Sequence, residues 1–318
     1  MSESISGGGE RAVLPCLPAI CYSGYRAGQS PGSGVFPSRQ EVAQDLRLLH
    51  RQGWRLLRLY DCGPHAQMVL ECIEHEALDL RVLLGAYLEA EIDNPRCPWG
   101  GRHDAATLQL NRARNEAEVV RLIELLRRHH RIVVAAAIGN EACVEWTDHL
   151  VEPRRVRELL ERVREQVSVP LTVCDNYVPW LGELGEQLGE VVDFISIHSY
   201  PAWEQRPVED ALAHTQADHA AVARRFPQHQ VVITEAGWPS VANDRGIPAH
   251  AASEPAQRHY LRELLAWSKA AGVACFVFEA FDEAWKGSDD PREPEKHWGL
   301  YAESRLPKQF AAALAPIA

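Results

Sequence analysis

The sequence lacks the features that mark several common classes of protein. Its 318 residues contain no CxxC pair, and no cysteine or histidine pair has the spacing of a zinc site. The longest apolar run, IVVAAAIG at 132–139, is far too short to cross a bilayer. We therefore expect no metal site, no cofactor and no membrane segment in this chain.

Positive charge is also scarce, because 33 Lys and Arg face 44 Asp and Glu, a formal net charge of −11. This charge repels phosphate backbones and anionic lipid, so we expect no nucleic acid partner. A neutral or cationic ligand fits better. The composition is otherwise that of an ordinary globular protein, and the oligomeric state stays unknown.

The first residues, MSESISGGGERAVLP, contain no apolar stretch of the length found in a secretory signal. We expect residues 1–15 to form a flexible leader and residues 16–318 to form one folded domain. The localisation is left open between the cytoplasm and a soluble domain of a cell-envelope protein. The eight cysteines are expected to be free thiols, because several lie within apolar runs.

Short apolar runs recur along the chain with amphipathic helical stretches between most of them, which predicts a closed parallel (β/α)8 TIM barrel. An open doubly wound sheet is the alternative, but no glycine-rich phosphate loop follows the first run. The eight runs are PAICYS near 18, WRLLRLY at 54, LRVLLGAY at 80, IVVAAAIG at 132, LTVC at 171, DFISIHSY at 193, VVIT at 231 and VACFVF at 273. The clearest helical stretches are 38–53, 111–130, 152–167 and 253–272.

Three long connections, 88–110, 236–252 and 279–305, each follow a predicted strand. In such barrels the loops at the carboxyl ends of the strands form the active site. Polar and aromatic residues collect at these ends. They are Tyr22, Tyr60, Asp61, Tyr87, Asn140, Glu141, Asp175, Asn176, His198, Tyr200, Glu235, Phe281, Asp282 and Glu283.

Two glutamates at these ends, Glu141 and Glu235, have no basic neighbour in sequence. A polar strand end can simply mark where the chain leaves the core. A pair of carboxylates, however, is what cleavage of a glycosidic bond requires, one as the acid and the other as the ionised partner. We expect both at an exposed rim. Aromatic rings that follow strand ends could stack on sugars or pack in the core: Trp146, Trp180, Trp203, Trp238 and Trp285.

At these positions the chain resembles glycoside hydrolase family 17, which comprises β-1,3-glucan-active enzymes with a (β/α)8 barrel. IGNEA at 138–142 and VVITEAGWPS at 231–240 are similar to its two catalytic motifs. The resemblance is closest to bacterial members, through CYSGYRAGQSP at 21–31 and CDNYVPW at 174–180. Further matches, in the expected order, are LRLYDCGP (57–64), SIHSYP (196–201), FEAFDEAWKG (278–287) and EKHWGLY (295–301).

The resemblance implies a retaining enzyme with Glu141 as the general acid/base and Glu235 as the nucleophile. It implies that Asn140 holds the sugar 2-hydroxyl, with Tyr60 and Tyr200 beside the nucleophile. Glu283 and Lys286 match a carboxylate and ammonium pair that supports the pocket, and Glu295 matches a further carboxylate. We also count Asp175, Asn176, Tyr177 and Trp238 among the substrate-binding residues.

Several functions remain open at this point. The first is hydrolysis of β-1,3-glucan or laminari-oligosaccharides, and the second is β-1,3-glucanosyl transfer through the same intermediate. A third is a noncatalytic glucan-binding protein on the same fold, although the presence of both glutamates argues against it. A metal-dependent barrel hydrolase would need a cluster of ligands at the strand ends, where only His198 is available.

Overall fold

The protein, as a computed structural model, is described over residues 14–314, and eight parallel strands close into one barrel. Each strand pairs with the next in sequence, and β8 pairs with β1. The prediction of a (β/α)8 TIM barrel is therefore confirmed. The strands are β1 Ala19–Cys21, β2 Leu56–Leu59, β3 Arg81–Ala86, β4 Val133–Asn140, β5 Leu171–Asn176, β6 Ile195–Ser199, β7 Val231–Ala236 and β8 Cys275–Val277.

The helices surround the barrel, and capping residues define several of their ends. Ser253 Oγ accepts a hydrogen bond from the Ala256 amide, and Gly272 ends the same helix with φ +66°. Within residues 14–314, no helix has both the length and the apolar character that a membrane crossing requires. The helices are α1 Arg39–Arg51, α2 Pro64–His75, α3 Ala105–Arg128, α4 Pro153–Arg164, α5 Tyr177–Trp180, α6 Glu183–Leu188, α7 Ala211–Arg225, α8 Glu254–Ala271 and α9 Gln309–Ala312.

The described part of the chain begins within the predicted leader. Most of the predicted leader, residues 1–13, lies outside the described residues. Leu14 is buried, and its amide donates a 3.0 Å hydrogen bond to the Gln230 side chain just before β7. Leu14, one of the last residues of the predicted leader, therefore already packs against the barrel, and the division at residue 15 stays a prediction. All eight cysteines lie in the described part of the chain and are free, as predicted.

The carboxyl ends of the eight strands meet at one rim, because every strand is parallel to its neighbours. The predicted long connections after β3, β7 and β8 are present, but the connection after β1, residues 22–38, is as long as the one after β7, residues 237–253, and was not predicted. Strand register decides which side chains meet there. In particular, His198 on β6 and Glu235 on β7 are directly paired across the ladder.

Candidate active site

Glu235, the penultimate residue of β7, lies at the centre of the rim and receives several donors. The phenols of Tyr60 and Tyr200 donate to its two oxygens at 3.0 and 2.5 Å. Arg58 Nη1 contacts Oε1, and His198 Nδ1 lies 3.5 Å from Oε2. Glu235 is only 5% exposed, so the expectation of an exposed position is wrong for this residue. The positive side chains of Arg58 and His198, and not solvent, balance the negative charge of Glu235.

The groups around Glu235 determine the charge state of its carboxyl group. Burial by itself raises the pKa of Glu235, but the charges of His198 and Arg58 lower it by more, and the net pKa is below its ordinary value. Burial raises the pKa of Tyr60 and of Tyr200 well above the ordinary value, so both phenols remain donors. Glu235 is thus held as a carboxylate at neutral pH.

Arg58 reaches the site from the middle of β2, on the other side of the barrel. Its side chain is 2% exposed, and it connects the two glutamate strands, since Nη2 donates to Asn140 Oδ1 at 2.5 Å. The side-chain nitrogen of Asn140 has no partner among residues 14–314 and is free to bind a ligand. Sequence reasoning missed Arg58. The available signal was an arginine inside the apolar run LLRL, because a buried guanidinium requires a partner.

Glu141 follows the last residue of β4 and has an unusual backbone conformation. Its φ is +47°, a region that residues other than glycine rarely adopt, and its amide donates to the Cys174 carbonyl at 2.9 Å. Such strained conformations concentrate at functional sites. The side chain is 31% exposed, and one oxygen accepts from His198 Nδ1 at 2.9 Å. Unlike Glu235, this carboxyl group opens toward solvent.

His198 connects the two glutamates. A carboxylate oxygen of Glu141, a ring nitrogen of His198 and a carboxylate oxygen of Glu235 all lie within 4.8 Å of one another. Burial by itself lowers the pKa of His198, but Glu235 and hydrogen bonds raise it to about 10. An imidazolium keeps the proton on Nδ1 and does not ligate a metal through that atom. His198 therefore acts as a cationic donor, a role that sequence reasoning missed.

The predicted carboxylate and ammonium pair is present at the β8 side of the rim. Lys286 Nζ lies 2.5 Å from Glu283 Oε2 and 2.8 Å from Glu279 Oε2, and Glu279 was not predicted. Ser23 Oγ donates to the other oxygen of Glu283 at 2.5 Å. Lys286, Glu279 and Glu283 thus form a largely buried group of one ammonium and two carboxylates beside the rim.

Glu295 lies within electrostatic range of both catalytic candidates. Burial, together with the charges of Glu141 and Glu235, raises the pKa of Glu295 to about 7, although the nearby Lys286 acts to lower it. A part of the residue is still open to solvent. Near neutral pH this carboxyl group can therefore both donate and accept a hydrogen bond.

Two predicted substrate-binding residues are buried and hydrogen-bonded within the protein. Trp238 is 1% exposed, and its indole donates to the Ala251 carbonyl at 3.0 Å, so its ring is not available to a sugar. Asp175 is fully buried, and its oxygens accept from the amides of Cys143 and Asn176. Asp175 therefore positions the loop after Glu141. Both assignments to substrate binding are corrected.

The remaining predicted residues differ in their surroundings. Asn176 is half-buried and caps α5 by accepting from the Val178 amide at 3.0 Å. The Tyr177 hydroxyl donates to Glu204 Oε1 at 3.2 Å, in the loop after β6. Of the other tryptophans, Trp180 is buried, whereas Trp146 and Trp285 are exposed and can stack on a ligand.

The closed barrel and the two close glutamates at the ends of β4 and β7 define a barrel glycosidase. The chain belongs to the BtgE/BtgC glycoside hydrolase domain family, which matches residues 19–299. This match confirms the prediction, made from the sequence motifs, of a glycoside hydrolase related to family 17.

Known relatives cover the chain almost completely. A glucan 1,3-beta-glucosidase of Arthroderma benhamiae is 26% identical over 93% of both chains. A probable glucan endo-1,3-beta-glucosidase btgC of Aspergillus clavatus is 25% identical over 85% of this chain, which spans only 39% of that protein.

Two solved structures share the fold. An endo-laminarinase from Formosa Hel1_33_131 superposes with a TM-score of 0.77 at 23% identity, over 90% of this chain and 83% of that one. An active-site mutant of a Rhizomucor miehei beta-1,3-glucanosyltransferase, in complex with laminaritriose, gives 0.71 at 20% identity, over 93% and 96%.

Proposed function

We propose that the protein hydrolyses β-1,3-glucan or laminari-oligosaccharides with retention of anomeric configuration. The observation that carries the proposal is the close approach of Glu141 and Glu235, whose nearest oxygens lie within 4.8 Å. Retaining enzymes place their carboxyl groups about 5 to 5.5 Å apart, whereas inverting enzymes leave about 6.5 to 9.5 Å for a water molecule. The short separation of this pair supports the retaining mechanism.

In the first step Glu235 attacks the anomeric carbon as a carboxylate while Glu141 gives its proton to the departing glycosidic oxygen. This forms a covalent glycosyl-enzyme. In the second step Glu141 removes a proton from water, the resulting hydroxide attacks the anomeric carbon, and Glu235 is released as a carboxylate. The surroundings support this assignment, because Arg58 and His198 hold Glu235 ionised while Glu141 is partly exposed to solvent, where the leaving group would depart.

The substrate class rests on the names of the relatives and on the family resemblance. We further propose that the chain is a member of glycoside hydrolase family 17. Its motifs resemble those of bacterial members, although the curated relatives are fungal. Glucanosyl transfer is the second candidate, favoured by the fold likeness to the Rhizomucor miehei glucanosyltransferase. In that case a sugar hydroxyl would take the place of water in the second step.

Product analysis distinguishes these functions. The protein is incubated with laminari-oligosaccharides of one length, and products are resolved by mass over time, with Glu141→Gln as the inactive control. Hydrolysis predicts only products shorter than the donor. Products longer than the donor would establish transfer, and the absence of any turnover in the wild type would support a noncatalytic glucan-binding protein.

Replacing Arg58 with methionine is expected to move the acidic limb of the kcat/KM profile upward by about one pH unit or more. Arg58 lowers the pKa of Glu235, so its removal raises that pKa and leaves less ionised nucleophile at acidic pH. The expected loss of kcat/KM at neutral pH is about tenfold or more. Arg58→Lys, which keeps the charge, should give a smaller shift, and thermal unfolding checks that both variants fold. An acidic limb that does not move in Arg58→Met would contradict the role of Arg58.

A further inference from the structure

A second group of histidine and carboxylates lies outside the active site. Glu204 belongs to the loop after β6, and His214 and Asp218 are one turn apart on α7. One side-chain atom from each lies within 4.8 Å of the other two. His214 Nε2 is 2.9 Å from Glu204 Oε2 and 3.6 Å from Asp218 Oδ2. Sequence spacing did not reveal this group, because only one member is a histidine.

These separations match the coordination shell of a small divalent ion. Zinc binds imidazole nitrogen and carboxylate oxygen at about 2.0 to 2.2 Å, so neighbouring ligand atoms of a tetrahedral site are about 3.3 to 3.5 Å apart. The two measured distances bracket this value. A nitrogen and two carboxylate oxygens, moreover, form a donor set that suits zinc better than calcium or magnesium.

The ring nitrogen of His214 at the centre of the group approaches both carboxylates but forms no hydrogen bond with them. His214 Nε2 is excluded from solvent and makes no hydrogen bond within residues 14–314, although it faces both carboxylates. The side chain is only 16% exposed, and a neutral imidazole presents a lone pair at such a nitrogen. A metal ion would satisfy this atom and both carboxylates together.

The carboxylates are oriented by groups behind them, as metal ligands usually are. Ser199 Oγ donates to Asp218 Oδ2 at 2.7 Å, and Tyr177 OH donates to Glu204 Oε1, the oxygen that faces away from His214. The nearest fixed positive charge is Arg206, whose Nη2 lies 3.8 Å from Glu204 Oε2. Its side chain is half exposed and can turn into solvent when a cation binds.

We propose that Glu204, His214 and Asp218 bind one zinc ion, with water as the fourth ligand. The ion would join α7 to the loop that begins at Tyr200, whose phenol holds Glu235. Its role is structural, because the site lies outside the catalytic pair. The proposal does not depend on the proposed glycosidase function.

Zinc binding is measured by titration calorimetry on the chelator-treated full chain, with and without substitutions. We expect one zinc per chain, and binding weaker by about tenfold or more in His214→Ala and in Glu204→Gln. His259→Ala is the matched control, because His259 also faces a carboxylate one turn along a helix, Glu263 at 3.6 Å, but no third ligand is grouped with them. This variant should bind like the wild type.

Two further readouts locate the ion. Zinc should raise the melting temperature of the wild type and of His259→Ala but not of Glu204→Gln, whose substitution at a partly exposed side chain preserves the fold. Anomalous diffraction at the zinc edge should give a peak between the three side chains. The proposal is overturned by an absence of saturable binding, by equal binding in His214→Ala, or by a peak at Glu141 and Glu235. Absence of binding would mean that His214 pairs only with the two carboxylates.

Discussion

Glu235→Ala is expected to lower kcat by about 10⁴-fold or more, because no carboxylate remains to form the glycosyl-enzyme. Added azide should restore turnover and yield a glycosyl azide of inverted configuration, since the anion attacks from the face that Glu235 vacates. Arg58 and His198, which remain in the pocket, favour binding of this anion. The measurements are the rate at which an activated aryl β-laminaribioside is cleaved and the anomeric configuration of the azide product.

The same substitution should also lower stability, because it removes the carboxylate that balances the buried charge of Arg58 and leaves His198 with Glu141 as its carboxylate partner. Breaking a buried ion pair by removing one partner typically lowers the free energy of unfolding by about 3 to 5 kcal/mol. Glu235→Gln, which keeps the shape, is the control that separates lost chemistry from lost folding. Activity near that of the wild type in a folded variant would remove Glu235 from the mechanism.

Glu141→Ala is expected to lower kcat by about 10² to 10⁴-fold on natural glucans, because the leaving oxygen no longer receives a proton. The loss in the first step should be smaller on an aryl glycoside whose leaving group needs no proton. Azide should then give a glycosyl azide of retained configuration, because it attacks the covalent intermediate without a general base. An inverted azide from this variant, with a retained one from Glu235→Ala, would mean that the two roles are exchanged.

The sequence predicted the barrel because each strand is buried on both faces and so appears as a continuous apolar run. Helix ends were predictable where a local signal exists, as at Ser253 and Gly272. The start of α3 was not, since the prediction began at residue 111 while the helix begins at Ala105. There the cap is Asp104, whose side chain accepts from the Thr107 amide, and several exposed residues precede the apolar face.

The catalytic candidates were predictable because they lie at the ends of strands, whereas their partners depend on contacts across the barrel. Arg58 and Glu235 are 177 residues apart in sequence, so nothing local indicates that they pair. Trp238, in contrast, was predicted to bind substrate although it is buried. The preceding Gly237 packs so closely on the Phe278 carbonyl that a Cβ there would lie 2.1 Å from that oxygen, and Trp238 follows it into the protein instead of into the cleft.

The anomeric configuration of the first product tests the central claim most directly. The wild-type protein is mixed with a β-1,3-glucan in heavy water, and proton NMR follows the new reducing ends before they mutarotate. Because the separation of Glu141 and Glu235 is as short as in retaining enzymes, two successive inversions at the anomeric carbon are expected. The β anomer should therefore accumulate first, and the α anomer should follow only at the rate of mutarotation. Release of the α anomer first would contradict the retaining mechanism, even if both glutamates proved essential.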